Sequence, residues 1–429
     1  MTYQEAKDYI DKVPKSGIFL GLDAIANLLN ELGNPQDSLK FVHLAGTNGK
    51  GSVLSYLASI LKAANYKTGQ YTSPALISKR EQIQVNGEWI EKESYANLAC
   101  KIKKAMTSLK EKNKALPTVF EVETAMAFLY FQQEKCELVI LETGMGGRDD
   151  ATNIVKNTLV AGFTSISLDH MSFLGETIEE IATIKSGIIK SGAKVVSGIQ
   201  KPGILSIIQQ KASEMNNTLW AVSKYDIKVL EESYNKQVFT YKDSEPLSLK
   251  MPGRHQVENA ALALEIIEEL QSLDFNISDD NIKEGLNETE FFGRLTCLRE
   301  NPLFIVDGAH NENGVTRLKE NILSLFPNQK ITFIMGIYKD KEYHKIAKQI
   351  LPLAKKVYTV TLPNKKRSIS ATELKNICEK NLGDNKCQII ACTSVDEAVK
   401  FSLESSEYKG VIIAFGSLSY LSCVAESLQ

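Results

Sequence analysis

The segment His43-Leu-Ala-Gly-Thr-Asn-Gly-Lys-Gly-Ser52 joins two patterns of different period. The apolar run at 40–45 predicts a strand, and the pattern at 52–64 predicts a helix. Backbone N–H groups of a glycine-rich turn between them can surround phosphate oxygens, and the helix N-terminus adds positive potential. We therefore predict a phosphate-binding loop made of Gly46, Thr47, Asn48, Gly49, Lys50, Gly51 and Ser52.

Lys50 and Ser52 carry the polar chemistry of this loop. Lys50 would place a point charge on the β- and γ-phosphates, and Ser52 could reach a magnesium ion. The spacing departs from the GxxxxGK[ST] pattern, because two residues separate the first pair of glycines and Gly51 stands between Lys50 and Ser52. The alternative is a strand–helix turn with a solvated lysine.

The rest of the chain continues the alternation of strands and helices. The runs at 137–141 and 158–166 are nearly continuous in apolar residues, which is typical of strands buried on both faces of a parallel sheet. In the last third, strands are predicted at 303–306, 331–335, 356–361, 387–391 and 411–415, and helices near 314–325, 342–351, 371–380, 394–404 and 418–427.

This pattern predicts an α/β protein of two domains. Residues 1–293 would form a P-loop-containing ATPase domain with a mostly parallel sheet. Residues 294–429 would form a smaller, doubly wound Rossmann-like domain, with the boundary at Phe292-Gly-Arg294. The absence of a Pro/Gly-rich linker predicts that the two domains pack closely.

Composition excludes several classes of protein. The 429 residues include 50 basic and 52 acidic side chains, so the formal net charge of −2 argues against a basic nucleic-acid-coating surface and a polyacidic tail. The first ten residues lack the apolar region of a secretory signal, and no apolar run is long enough for a membrane span. Seven cysteines without a CxxC pair favour reduced thiols. We expect a cytoplasmic protein without nucleic-acid or membrane partners.

Polar residues follow two of the predicted strands. Glu142 stands at the carboxyl end of one apolar strand, where open parallel sheets bind ligands and where a carboxylate could hold a cation beside the phosphate loop. The following cluster at 148–153 is interpreted as a functional loop, with a solvated surface loop as the alternative. His170 comes just after the next strand, where a structural role and a ligand role are equally compatible with the sequence.

Lys185 lies on the apolar stripe of a predicted helix. The helix opens with a capping box at Thr177 and Glu180, and its inward positions recur at a spacing of 3.6 residues. A charged lysine on that face is costly unless it is paired or reaches the surface. The alternative to snorkelling is that Lys185 is paired or carbamylated by CO₂, which would convert the amine into an oxygen ligand suited to magnesium.

The motifs together resemble those of the folylpolyglutamate synthase/dihydrofolate synthase family of the Mur ligase superfamily. They extend almost from end to end and occur in the family's order. Besides the glycine-rich loop they include Tyr71-Thr-Ser-Pro74, Arg80-Glu-Gln-Ile83, Phe120-Glu121, Gly146-Gly-Arg148, Asp150-Ala-Thr-Asn153, Leu168-Asp-His170, Lys185-Ser-Gly187, Pro252-Gly-Arg254, Asn259-Ala-Ala261, Asp307-Gly-Ala-His-Asn311 and Gly416-Ser417.

The resemblance implies an activity and a set of ligands. The family joins L-glutamate to a pterin-linked carboxylate with ATP, through an acyl phosphate, and releases ADP and phosphate. The implied acceptors are dihydropteroate, a reduced folate or both, and a monomer is expected. A ligase acting on another acceptor, such as a peptidoglycan precursor, and a degenerate ATP-binding module are the alternatives, and intact Lys50, Glu142, His170 and Lys185 argue against the second.

The resemblance also implies residue roles, and two positions depart from its pattern. Ser73 and Glu142 would bind one magnesium ion, and Glu142, His170 and carbamylated Lys185 would bind a second. Thr72, Ser73 and Pro74 would contact the acceptor. Asn259 would contact adenine, and Arg294, Asp307 and His310 would reach ATP across the domain cleft. Lys50, His170, Lys185 and Arg294 would be catalytic. Ala75 replaces a common histidine, and Asp149 replaces a common leucine.

Overall fold

The computed structural model describes residues 1–14, 21–383 and 385–428, and they form two compact units. The first unit contains Met1–Lys228, Phe239–Ser248 and Gln256–Thr289. The second contains Val229–Val238, Leu249–His255 and Glu290–Gln429. The second unit therefore takes two short segments from the middle of the chain, in addition to its C-terminal part.

An eight-stranded sheet organises the first unit. Its order is β4-β3-β2-β5-β1-β6-β7-β8, and the strands are β1 (Phe41–Ala45), β2 (Thr68–Tyr71), β3 (Ile83–Val85), β4 (Glu88–Trp89), β5 (Leu138–Glu142), β6 (Thr158–Phe163), β7 (Lys194–Ser197) and β8 (Leu219–Ala221). Strands β2, β5, β1, β6, β7 and β8 run parallel, whereas β3 and β4 are antiparallel additions. The carboxyl ends of β5, β1 and β6 consequently lie side by side.

Helices cover this sheet. They are α1 (Tyr3–Asp11), α2 (Asp23–Glu31), α3 (Lys50–Ala63), α4 (Lys92–Glu111), α5 (Val119–Gln133), α6 (Met171–Leu174), α7 (Ile178–Ser186), α8 (Pro202–Glu214), α9 (Arg254–Gln271) and α10 (Asp279–Glu288). Residues of α1, α2, α4 and α5 form one buried apolar cluster, and residues of α7 and α8 form another with β6 and β7. The predicted capping box of α7, formed by Thr177 and Glu180, is confirmed.

A smaller sheet follows in the order β11-β10-β9, formed by β9 (Ile227–Glu232), β10 (Gln237–Tyr241) and β11 (Leu247–Leu249). The strand patterns of the sequence did not predict it. Strand β9 is mostly exposed or half-buried and includes the exposed charged residues Lys228 and Glu231, and β11 has only three residues, so the period-2 signal is weak. The division between the two compact units passes through this part of the chain.

The second unit is doubly wound. Its sheet has the order β12-β13-β17-β14-β15-β16, with strands β12 (Thr296–Arg299), β13 (Leu303–Val306), β14 (Ile331–Met335), β15 (Ala354–Thr359), β16 (Gln388–Ala391) and β17 (Val411–Phe415). All pairs are parallel except β12 with β13. The helices are α11 (Glu312–Leu325), α12 (Tyr343–Ile350), α13 (Ala371–Lys380), α14 (Val395–Glu404) and α15 (Leu421–Glu426). Buried residues of α11, α12 and α13 share one apolar cluster, and those of α14 and α15 share another.

The predicted α/β class and doubly wound C-terminal part are confirmed. One predicted strand is shorter than expected, because β6 ends at Phe163 and not at 166. The backbone from 164 to 167 turns instead to bind the glycine-rich loop. Within the described residues, no helix combines the length and the apolar character that crossing a bilayer requires.

Candidate functional site

The glycine-rich turn is held against the segment that follows β6. The amide of Thr47 donates to the Ser165 carbonyl at 2.8 Å, and the Thr47 hydroxyl donates to the Ser167 carbonyl at 3.0 Å. Gly46 has a φ of 152°, and a Cβ at this position would lie 1.8 Å from Thr164 Oγ1. The loop therefore requires glycine at its first position, for both its backbone conformation and its closeness to Thr164.

Gly49 brings helix α9 to the same turn. Its φ is 97°, and a Cβ here would lie 2.5 Å from Oδ1 of Asn259. The Asn259 amide nitrogen donates to Gln256 Oε1 at 3.1 Å, which fixes its orientation. The structure thus brings Asn259 against the phosphate loop, although its role as an adenine contact stays a prediction.

Two lysine ammonium groups converge on one carbonyl oxygen. Nζ of Lys50 and Nζ of Lys185 donate to the Gly46 carbonyl at 3.1 and 2.8 Å. Lys50 Nζ also lies 3.7 Å from Glu142 Oε1. The predicted phosphate-loop lysine, the strand-end carboxylate and the helix lysine therefore form a single cluster at the carboxyl ends of β1 and β5.

Lys185 is buried, with 5% of its surface exposed, so the snorkelling alternative is wrong. Its burial removes water from the ammonium, and the Lys50 charge repels it; together they lower the pKa of Lys185 to about 7. The negative charges of Asp169 and Asp150 raise the pKa of Lys185 and so oppose part of this decrease. The amine therefore exists partly in its neutral, nucleophilic form at physiological pH.

Three hydroxyl groups around the cluster are buried, and no hydrogen-bond partner for them exists among the described residues. They belong to Ser52, Thr143 and Thr164, which stand at the start of α3 and after β5 and β6. A buried hydroxyl without a partner costs about 1–3 kcal/mol, so a ligand that hydrogen-bonds to these oxygens would be favoured. Phosphate oxygens or an oxygen-preferring cation such as Mg²⁺ match them and the Glu142 carboxylate.

The remaining predicted metal ligands lie at neighbouring strand ends. Ser73 follows β2, which pairs with β5, and the amide of the preceding Thr72 donates to the Gln82 carbonyl at 3.0 Å. His170 follows β6 with a φ of 50°, and its Nε2 lies 4.0 Å from Asp169 Oδ2. Within the described residues no three His, Cys, Asp or Glu side chains form a metal site by themselves. The metal roles of Ser73, Glu142, His170 and Lys185 stay predictions.

The 148–153 loop contains a buried network that sequence reasoning missed in part. Asp150 accepts from the Met145 amide at 2.7 Å and from the Thr152 hydroxyl at 2.6 Å. The Thr152 hydroxyl also lies 2.9 Å from Nε2 of His43 in β1. Burial lowers the pKa of His43 to about 3, so its imidazole is neutral. A histidine within an apolar strand was the available signal for this network.

A second missed network holds the segment after Pro74. The Glu81 carboxylate accepts from the amides of Leu76, Ile77 and Ser78. Next to it, Nζ of Lys79 lies 2.9 Å from Glu123 Oε1 and 2.8 Å from Asp11 Oδ1. The contacts of Glu81 give the predicted acceptor-binding segment a defined conformation, and those of Lys79 tie it to α1 and α5, which are far away in sequence.

The predicted residues of the second unit also lie together. Asp307, at the carboxyl end of β13, accepts from the amides of Leu295 and Ala309 at 3.0 and 2.9 Å. Burial raises the pKa of Asp307, and the nearby Arg294 charge opposes that shift. Arg294 packs against Gly308, because a Cβ on that glycine would lie 2.5 Å from Nη1 of Arg294. Nδ1 of His310 lies 2.7 Å from the Gly308 carbonyl oxygen. Arg294, Asp307 and His310 therefore form one cluster.

Gly46→Ala should reduce kcat/KM for ATP by about 100-fold, since a displacement of the loop by about 1 Å is costly to catalysis. The cause is the overlap of the new Cβ with Thr164 Oγ1. Steady-state kinetics with varied ATP measures the effect. Gly203→Ala is the matched control, because a Cβ at Gly203 meets nothing within 4 Å. Unchanged kinetics in Gly46→Ala would mean that this turn does not contact the nucleotide.

Comparison with known proteins agrees with these features. Residues 44–267 match the family model described as the Mur ligase middle domain, and residues 293–418 match the Mur ligase glutamate ligase domain. A Bacillus subtilis dihydrofolate synthase/folylpolyglutamate synthase is 33% identical over 434 residues, which cover 100% of this chain and 99% of that protein.

Solved structures show the same similarity. The structure of Mycobacterium tuberculosis folylpolyglutamate synthase complexed with ADP has a TM-score of 0.89 at 26% identity, covering 100% of this chain and 98% of that one. A complex of folylpolyglutamate synthase with AMPPCP and folate has a TM-score of 0.86 at 28% identity, covering 100% of both chains.

Proposed function

Because this chain belongs to the Mur ligase family, within which its relatives are dihydrofolate and folylpolyglutamate synthases, we propose that it joins L-glutamate to the carboxylate of dihydropteroate, of a reduced folate, or of both. The chain is an ATP-dependent acid–amino-acid ligase. The observation that carries the proposal is the convergence of Lys50 and Lys185 on the Gly46 carbonyl beside Glu142.

The phosphate loop binds the ATP triphosphate in this proposal. The N-terminus of α3 would face the phosphates, and Lys50 would move from the Gly46 carbonyl to the β/γ oxygens. The Ser52 hydroxyl gains the partner that it lacks among the described residues. Asn259, which already contacts Gly49, extends the site towards adenine.

Magnesium suits the oxygen-rich remainder of the site. Glu142 with Ser73 would hold one ion, and Glu142 with His170 and carbamylated Lys185 would hold a second. Bound magnesium would neutralise charge on the triphosphate and on the acceptor carboxylate. The residues fit this group because Glu142 is buried beside hydroxyls without partners among the described residues, and because Lys185 is poised to lose its positive charge.

Carbamylation explains why a lysine stands in this position. The neutral Nζ of Lys185 attacks the carbon of CO₂, one C–O π bond opens, and the nitrogen loses a proton to solvent. The product is a carbamate with one negative charge. It replaces an ammonium that Lys50 repels with an anion that Lys50 attracts, so the modification stabilises the cluster.

Ligation then proceeds in two steps. A carboxylate does not react directly with an amine because oxide would have to leave, so the acceptor carboxylate first attacks the γ-phosphorus of ATP and ADP departs. The amine of glutamate attacks the resulting acyl phosphate, and phosphate leaves as the amide forms. The protein positions these groups and offsets their charge, chiefly through Lys50 and the amides of the loop. A glutamate that arrives with a neutral amine can attack directly, and the proton that its nitrogen loses as the amide forms leaves with phosphate or passes to solvent.

In the second unit, Arg294, Asp307 and His310 are proposed as further ATP contacts. Their support is the shared geometry around Gly308 and the buried carboxylate of Asp307. Asp307 receives two backbone amides, which keep its carboxylate oriented. Arg294 supplies a permanent positive charge that suits a phosphate group.

The folded state should favour neutral Lys185, and this gives a pH-dependent stability. Because its pKa is lowered to about 7 from 10.5, the unfolded chain binds more protons between these values, so Lys185 raises the free energy of unfolding as pH rises through that window. We expect Lys185→Met to have a higher free energy of unfolding than wild type at pH 7. Above pH 7 the two free energies of unfolding should approach each other by about 1.4 kcal/mol per pH unit. Urea unfolding in CO₂-free buffer, from pH 7 to pH 9, measures this. A constant difference would contradict a lowered pKa.

Product analysis tests the proposed function. The purified chain is incubated with ATP, glutamate and either dihydropteroate or tetrahydrofolate, and the products are examined by mass. We expect one added glutamyl residue and phosphate release that requires both the acceptor and glutamate. Release of phosphate unaffected by either substrate, or no turnover, would reject the proposal in favour of another acceptor or an inactive nucleotide-binding module.

A further inference from the structure

Helix α9 carries a polar side chain within an apolar stripe. Gln256, Ala260, Ala263 and Ile267 follow one another at helical spacing, and all four are fully buried. Buried amide groups are normally hydrogen-bonded, but Nε2 of Gln256 has no partner among the residues that the structure describes. An apolar side chain of similar size would avoid the cost of this group, so a glutamine at this position indicates a role other than packing.

The carbonyl end of Gln256 orients the amide of Asn259. Asn259 lies one turn further along α9 and is half-buried, and its Nδ2 donates to Oε1 of Gln256 at 3.1 Å. On its other side the amide meets the phosphate loop, because a Cβ on Gly49 would lie 2.5 Å from Oδ1 of Asn259 and 3.4 Å from its Nδ2. The oxygen end of Asn259 therefore faces the loop, and its nitrogen end faces Gln256.

The orientation of the Asn259 amide determines which purine base suits it. In the observed orientation Oδ1 can accept a hydrogen bond, and Nδ2 keeps a second hydrogen besides the one given to Gln256. An asparagine amide pairs with adenine by accepting from the 6-amino group and donating to N7. A 6-oxopurine carries an acceptor where adenine carries the amino group, so it requires the reversed amide, with Nδ2 towards the base.

The two amides can reverse together. Nε2 of Gln256 would then donate to Oδ1 of Asn259, so the number of hydrogen bonds between the two side chains is unchanged. The Gln256 carbonyl would take the place of an N–H that has no partner within the described part of the chain, so neither orientation is strongly favoured. The positive N-terminus of α3, whose capping residue is Gly49, favours oxygen towards the loop by no more than about fivefold.

We propose that Gln256 and Asn259 act as a reversible pair, through which the nucleotide site binds 6-oxopurine triphosphates as well as ATP. Inosine triphosphate (ITP) is the simplest of them, because it differs from ATP at the position that the amide reads. Gln256 is a positioning residue here, since it contacts Asn259 and not the base. This inference rests on the proposed function, in which Asn259 faces adenine, and adds the choice of base to it.

Reciprocal variants of Gln256 test the pair. Displacement of a fluorescent ATP analogue, without acceptor or glutamate, gives the Kd of ATP and of ITP, and the ratio of the ITP Kd to the ATP Kd is compared. Wild type should give a ratio below about five. Q256E offers acceptors alone, which hold Nδ2 of Asn259 towards position 256, so the ratio should rise about tenfold. Q256K donates alone and holds Oδ1 there, so ITP should bind more tightly than ATP.

Charge and folding have their own controls. A charge near the triphosphate affects both nucleotides equally and cancels in the ratio, as does a merely structural weakening of the site. Q271E and Q271K place the same charges at the exposed C-terminal end of α9 and should leave the ratio unchanged. If a charged variant of Gln256 does not fold, N259D supplies the test on a half-buried residue. Its carboxylate only accepts, so it should raise the ratio if the wild-type pair reverses and leave it unchanged if the pair is fixed towards adenine.

The outcomes separate this inference from the function on which it rests. Equal ratios in wild type and Q256E would mean that the pair is fixed, and equal ratios in Q256E and Q256K would mean that Gln256 does not orient Asn259; either result overturns the proposal. If the ratios follow the prediction but wild type adds no glutamate to any acceptor, the ligase function fails and the base selection stands. If wild type extends an acceptor while every variant gives one ratio, the function stands and this inference fails.

Discussion

Alanine in place of Lys185 should abolish ligation, with kcat reduced by about 10³-fold or more, as expected when charge stabilisation at a metal-assisted phosphoryl transfer is lost. The variant cannot form the proposed carbamate, so the site would lose the anionic oxygen ligand that we propose beside the Gly46 carbonyl. Coupled ADP-release kinetics with saturating ATP, glutamate and acceptor measures the loss. The fold should persist, because removal of a buried amine whose pKa is lowered relieves a desolvation cost.

Small carboxylic acids make the interpretation specific. Formate or acetate can enter the space left by the side chain and supply the missing carboxylate, so part of the activity should return with saturable dependence on acid concentration. Lys190→Ala is the control, since Lys190 is a nearby, partly buried lysine that donates to the Asn153 carbonyl at 3.0 Å. Added formate or acetate should not raise the activity of Lys190→Ala. Wild-type activity of Lys185→Ala without added acid would reject the carbamate role.

Lys50→Met should lower kcat by about 10³-fold, because the transferring phosphoryl group loses the cation closest to the loop. Methionine retains the length and apolar stem of lysine without its charge. The same substitution removes the neighbouring charge that lowers the pKa of Lys185, so that pKa should rise and the carbamylated fraction should fall. Single-turnover kinetics and ¹³CO₂ incorporation followed by NMR measure the two effects separately.

Lys62→Met provides the matched control on the same helix, because Lys62 is an exposed residue in the last turn of α3. It should retain wild-type kinetics and CO₂ incorporation. If Lys50→Met changed the KM for ATP without changing kcat, Lys50 would serve binding of the ground state only. Normal kinetics in Lys50→Met would exclude Lys50 from the phosphate site.

The parts of the site that the sequence predicted are those encoded locally. The glycine-rich turn stands between a strand and a helix, Glu142 ends an apolar strand, and each pattern spans only a few residues. The burial of the Lys185 side chain could not be predicted from the sequence. Helical periodicity places a residue on one face of a helix, but it does not say whether a long side chain on that face reaches the surface. In the folded chain the amine of Lys185 is buried and donates to the carbonyl of Gly46, which lies 139 residues away in sequence.

The residues that were missed depend on distant partners. His43 contacts Thr152 across 109 positions, and Lys79 contacts Glu123 across 44. A single sequence shows the polar residues but not their pairing, because any of several carboxylates could neutralise Lys79. The contacts between the loops after β14 and β15 were missed for the same reason, since Tyr338 meets Ser368 and Asp340 meets Arg367 only in the folded chain.

The shared Gly46 carbonyl has a practical consequence for handling the protein. The Lys50 and Lys185 ammonium groups point at one acceptor and repel each other, which is one reason why the pKa of Lys185 is lowered. A small oxyanion bound between Lys50 and Lys185 would offset the repulsion between their ammonium groups. We therefore expect inorganic phosphate or nucleotide in storage buffers to raise the thermal stability of the protein, and exhaustive dialysis to lower it.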